Sequence, residues 1–170
     1  MLDFELLLSR TLSRKEIDFF VEAVYDRPHR FGELLQLLLN ENQQLAWHAA
    51  WVVQKLFEKY PELFSRQTLQ YLSPIAVSTE REGIRRLLLS IVVQSFSPEE
   101  VSVEMVNHCF KWMHSPASSI AVQVLSIHYL RKVCQCEPEL LPELQLCVLQ
   151  LSETTDSPAI RSVAKKVLRD

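Results

Sequence analysis

The chain has 170 residues, 48% hydrophobic and 23% charged, an ordinary globular balance that suffices for a sizeable core. Its formal charge of −3 at neutral pH supplies no global positive field to gather nucleic acid or an anionic membrane. Only two glycines, Gly32 and Gly83, are present, and GxxxxGK[ST], GxGxxG, GxSxG and HExxH are all missing, which argues against phosphate-cradling loops and Rossmann chemistry.

In chain order, MLDFELLLSR puts Asp3 and Glu5 where an export signal would carry positive charge, and its apolar run is short; a cytoplasmic protein is expected. Residues 2–9 predict a turn or two of helix, and RKEIDFFVEAVYD over 14–26 an N-terminal helix. Pro28, Pro61, Pro98 and Pro138 then stand ahead of apolar-periodic runs at separations of 33, 37 and 40 residues. Proline suits the first helical position, where its missing N–H would have had no partner, and the Glu that follows three of these prolines suits the helix dipole.

About twenty residues after each proline a second run with a 3.6-residue period begins. Ile160, Val163, Ala164, Val167 and Leu168 fit it at i, i+3, i+4, i+7 and i+8. Ile84, Leu87, Leu88, Ile91 and Val92 fit equally, as do Ala46, Ala49, Ala50 and Val53, and less perfectly Ile120, Val124 and Ile127. Polar segments NENQQ, STEREG, HSPASS and TTDSP precede these runs and hold the residues that cap helices. The spacing predicts helix pairs 28–39 with 44–59, 61–77 with 82–96, 98–114 with 118–135, and 138–152 with 157–169, the last first-helix starting at Pro142 if not at Pro138. No strand is predicted. The segment from Trp112 to Leu130 lacks Lys, Arg, Asp and Glu but is too polar to cross a bilayer.

Paired helices at this period resemble HEAT and armadillo-like repeats. TTDSPAIRSVAKKVL (154–168) looks like the second half of a HEAT repeat, with Asp156, Arg161, Ala164 and Leu168 at matching places; NQQLAWHAAWVVQKL (42–56) is similar, with His48 near the usual arginine position. Leu88 and Val124 depart from the small residue the family prefers. The resemblance covers about 28–170 and implies an all-α, right-handed solenoid of about four pairs: one domain over 1–170, with a capping region 1–27 and repeats near 28–60, 61–97, 98–137 and 138–170. It also implies a scaffold that binds proteins on a curved surface.

Chemistry is sparse. Cys134, Cys136 and His128, or His108, Cys109 and His114, lack structural zinc spacing, and Cys134 and Cys136 would face opposite ways on a helix. The four cysteines read as reduced thiols, and no metal or cofactor is expected. Glu80, Glu82, Glu99 and Glu100 lie where capping explains them, and His48, set between tryptophans in AWHAAW, reads as a surface or packing residue rather than a catalyst. No catalytic residue is assigned.

The faces of the second helices are more informative. Opposite the core stripe the last one is polar, with Ser162, Lys165, Lys166 and Arg169, but the two central ones are apolar nearly all round. A strip of Trp51, Leu89, Val93, Leu125 and Tyr129 is therefore a candidate groove for a partner helix or a homodimer contact, the other reading being that curvature and neighbouring repeats bury it. The alternative function is a nucleic-acid-binding or alkylated-DNA repair module, since some glycosylases for alkylated bases have HEAT-like folds. It would need Arg85, Arg86, Arg161 and Lys165 on one positive face, which Trp47 and Trp51 could also line, with a carboxylate such as Asp156 nearby.

Overall fold

The computed structural model describes residues 4–170, so the first residues of the expected helix over 2–9 lie outside the described residues. Those described form ten α-helices and five short 3-10 turns with no strand. The protein is all-α and arranged in helix pairs.

The chain divides into two compact units, residues 1–71 and 72–170. In the first, α1 (Phe4–Leu8), α2 (Arg14–Tyr25) and α3 (Phe31–Gln36) all pack on α4 (Gln43–Lys59). α2 starts at a complete capping box: the Ser13 hydroxyl accepts from the Glu16 N–H, and the Glu16 carboxylate accepts from the Ser13 N–H at 2.8 Å. α4 starts at Asn42, whose side chain accepts from the N–H groups of Gln44 and Leu45. Its buried stripe of Ala46, Ala49, Ala50 and Val53 puts small side chains inward, which lets neighbouring helices come close.

α5 (Arg66–Ser78) runs through the division and carries Pro74 in its interior, a position the spacing did not mark. In the second unit follow α6 (Glu82–Gln94), α7 (Val103–His114), α8 (Ile120–Cys136), α9 (Leu141–Thr154) and α10 (Pro158–Val167). α8 packs on α6, α7, α9 and α10 and is the axis of this unit.

Three details correct the expectation. The prolines at 28, 61, 98 and 138 open three-residue 3-10 turns, and the α-helices begin a few residues later, at Phe31, Arg66, Val103 and Leu141. The expected helix over 28–39 is accordingly broken into a 3-10 turn, α3 and a second 3-10 turn at Leu37–Leu39. Pro142 sits in the first turn of α9, where its missing N–H costs nothing.

The N-caps of the second helices, Asn42, Arg81, Ser119 and Ser157, recur every 38 or 39 residues, a tighter period than the prolines keep. None of these turns needs glycine, because each chain reversal is made with an extended N-cap residue and no described residue has positive φ.

Candidate functional site

Arg85 and Arg161 stand four residues after the N-caps Arg81 and Ser157, one turn into their helices. Each guanidinium reaches back to the carbonyl closing the preceding helix: Arg85 donates to the Thr79 oxygen, Arg161 to the Thr155 oxygen at 2.7 Å. In both turns the threonine hydroxyl also accepts a backbone N–H two residues on, at 3.2 and 3.1 Å. The two arginines therefore hold the helix–helix corner in place.

In α8 the same position is Gln123, whose amide donates to the Ser115 carbonyl at 3.2 Å. In α4 it is Ala46, so His48 is two residues beyond the place the resemblance suggested. His48 is buried, and its Nδ1 lies 2.7 Å from the Leu8 carbonyl at the end of α1, which ties α1 to α4.

Arg85 is also held by Glu82 at 2.7 Å, and its guanidinium carbon lies 4.8 Å from the Trp112 ring centroid. Arg86, Arg161 and Lys165 are exposed, with Arg161 3.8 Å from Asp156. Arg85 is thus committed to its corner, and the candidate basic face is left with Arg86 on α6 and Arg161 and Lys165 on α10.

The apolar strip separates by burial. Leu89 is 0% exposed, and Val93 and Tyr129 are also buried; Trp51 and Leu125 are half-buried. Three of the five residues thus belong to the core. The register expected for α8 also shifts: Val122, Ser126, Tyr129 and Val133 are buried, whereas Ile120 is 45% exposed.

The physical reason is that α8 has neighbours on nearly every side, so the face expected to meet solvent meets other helices. The polar residues taken inside are satisfied locally, Ser126 donating to the Val122 carbonyl at 2.8 Å. Tyr129 packs edge-on against Phe96 at 5.7 Å, and burial pushes its phenol up to about 12. Burial likewise pushes the Cys109 thiol up to about 12, which leaves it unreactive as a nucleophile.

Two open faces remain. On α4, Trp47 and Trp51 are half-buried one turn apart with ring centroids 5.3 Å from each other, and Lys55 and Glu58 continue that side as an ion pair. The i, i+4 spacing of the tryptophans was the signal that could have paired them. On α8, Val124, Leu125 and His128 are half-exposed and lead towards Arg131 and Lys132. Desolvation, with Lys166, Arg131 and Lys132 nearby, holds His128 below the usual histidine range, so it is neutral at physiological pH.

Among the described residues no group of three or more His, Cys, Asp or Glu side chains is placed to hold a metal ion, and no helix is long and apolar enough to cross a membrane. An open depression of about 450 Å³ between α2 and α4 is lined by Arg14, Asp18, Glu22, Lys55, Glu58 and Lys59. Lys59 pairs there with Glu22 and Lys55 with Glu58, so most of its charge is internally neutralised.

A family model described as a HEAT repeat domain matches residues 4–170. No curated protein and no solved structure matches the chain. Nearly the whole chain is covered, and the chain belongs to the HEAT repeat family.

Proposed function

We propose that this HEAT-repeat chain is a non-enzymatic protein-binding module of the cytoplasm, working through the faces of its long second helices that the repeats leave open. The observation that carries the reading is the Trp47–Trp51 pair on α4. Two large aromatic rings packed on each other and still partly wet are the side chains that anchor interfaces, because they bury much apolar area at little conformational cost. The opposite side of their helix is closed, with Leu45, Ala49, Val52, Val53 and Leu56 all buried.

A partner that covered the tryptophans would gain roughly 25 cal/mol for each Å² of apolar surface removed from water. The four unpaired cysteines accord with a reducing compartment.

The test compares the wild-type chain with a W47S/W51S variant as bait in an extract of its source cell, with circular dichroism and thermal midpoint measured for both. The variant should stay folded and lose the captured protein. Undiminished capture by the folded variant, or none by the wild type, would end the reading.

A further inference from the structure

Charge in the second unit is segregated by helix. On α6, α8 and α10 all charged residues are basic except Glu82, whose carboxylate is taken up by Arg85 and by the Ser119 N–H at 2.7 Å. The first helices and their turns are mainly acidic, with Glu99 and Glu100, Glu104, Glu139, and Glu143 and Glu153 of α9 against the single Lys111 of α7. An overall charge of −3 conceals this division.

Three of these basic side chains, Arg131, Lys132 and Lys166, surround His128 on the open face of α8. α8 packs against both α6 and α10. Lys132 donates to the Val93 carbonyl at the end of α6 at 2.8 Å, and Lys166 of α10 lies near enough to His128 to act on its charge together with Arg131 and Lys132. Arg131 is paired with Asp170, but Arg86, Lys165, Lys166 and Arg169 are exposed. Two turns before Arg131 and Lys132, on the same side of α8 by helical spacing, lie half-exposed Val124 and Leu125, so the face is apolar at one end of the helix and cationic at the other.

We propose that this face binds an acidic, amphipathic peptide segment of a partner protein, whose apolar side chains cover Val124 and Leu125 while its carboxylates meet Lys132 and Lys166. The inference rests on the protein-binding reading for the class of partner and adds its chemistry, with residues of the second unit where the tryptophans belong to the first. Charge complementarity selects the acidic partner. The apolar stretch selects a peptide over nucleic acid, because a continuous phosphate backbone would leave Val124 and Leu125 uncovered, and the acidic residues of the first helices would repel a long polyanion.

The experiment measures fluorescence anisotropy of the full chain with a labelled 20-residue helical peptide of Glu, Leu and Ala, with the same peptide carrying Lys for Glu, and with oligothymidylate. The acidic peptide alone should bind, and K166E should weaken it about tenfold while leaving the fold intact, Lys166 being exposed. L125S should weaken it a few-fold at any salt, and W47S/W51S should not change it. Equal binding of both peptides, indifference to K166E, or displacement of the acidic peptide by oligothymidylate at equal concentration would each overturn the inference. Loss of peptide binding with capture through Trp47 and Trp51 intact would sink this inference alone; loss of that capture with peptide binding intact would sink the tryptophan reading alone.

Discussion

α4 and α8 have the same length, 17 residues, and the same place, each being the helix on which its unit packs, yet they close their cores differently. α4 turns alanines inward, and the polar His48 within it ties down α1. α8 turns Val122, Ile127, Leu130 and Val133 inward with Gln123 and Ser126 among them, both bonded to nearby carbonyls. Their open faces differ as well, an aromatic pair on one and an apolar-to-cationic gradient on the other. A central helix can be surrounded on most sides and still keep one narrow face whose chemistry is free to vary, because the core constrains only the residues that point into it.

The largest effect expected in testing that division comes from Leu89→Lys against Leu125→Lys. The first buries an unpaired charge and should cost about 3–5 kcal/mol or unfold the second unit, while the second should cost about 1 kcal/mol or less. Urea denaturation of both variants would show it, and similar losses would erase the distinction between core and open face.

His48→Ala should cost about 2–3 kcal/mol, through a buried volume and the bond to Leu8, and Ser126→Ala about 1 kcal/mol or less, since the Val122 carbonyl keeps its helical partner. Equal losses would mean that the polar group of α4 is no more structural than that of α8.

Arg85→Ala should destabilise more than Arg161→Ala, roughly 1–2 against under about 1 kcal/mol, because the Arg85 side chain is packed on Trp112 and the Arg161 side chain is 52% exposed. Thermal midpoints of the two variants would order them.

Thiol labelling gives a kinetic contrast within the second unit. Exposed Cys136 should react with an aromatic disulfide reagent at neutral pH, and Cys109, buried and with its thiol pushed up to about 12, only on unfolding.

The smallest effect concerns Glu22, which the Lys59 ammonium and the Tyr60 hydroxyl hold below the usual carboxylate range. A depressed folded-state pKa adds stability above the ordinary value near 4.5 that is lost as pH falls through the folded one, so wild type and Glu22→Gln should converge in acid. A constant difference between them across that range would contradict the assignment.

Helix pairs, their order and the approximate limits of α2, α4, α6, α8 and α10 were legible in the chain, since capping residues and a 3.6-residue period act locally. The face that α8 presents was not. Val122, Ser126 and Tyr129 read as an outer side by spacing alone, and only the packing of four neighbouring helices puts them inside. The candidate strip lost Leu89, Val93 and Tyr129 to the core for the same reason and kept Trp51 and Leu125. Trp47 was legible beside Trp51 as a candidate for the nucleic-acid face, but not the nearness of Lys166 to His128, which are 38 residues apart.

By itself the sequence determined that the protein is all-α and repeats about every 38 residues, because caps, prolines and periodicity are properties of neighbours along the chain. Which side of each second helix remains open, and so where a partner could dock, was decided by tertiary structure. A helix that is apolar on most of its circumference has no preferred face until other helices take their places around it.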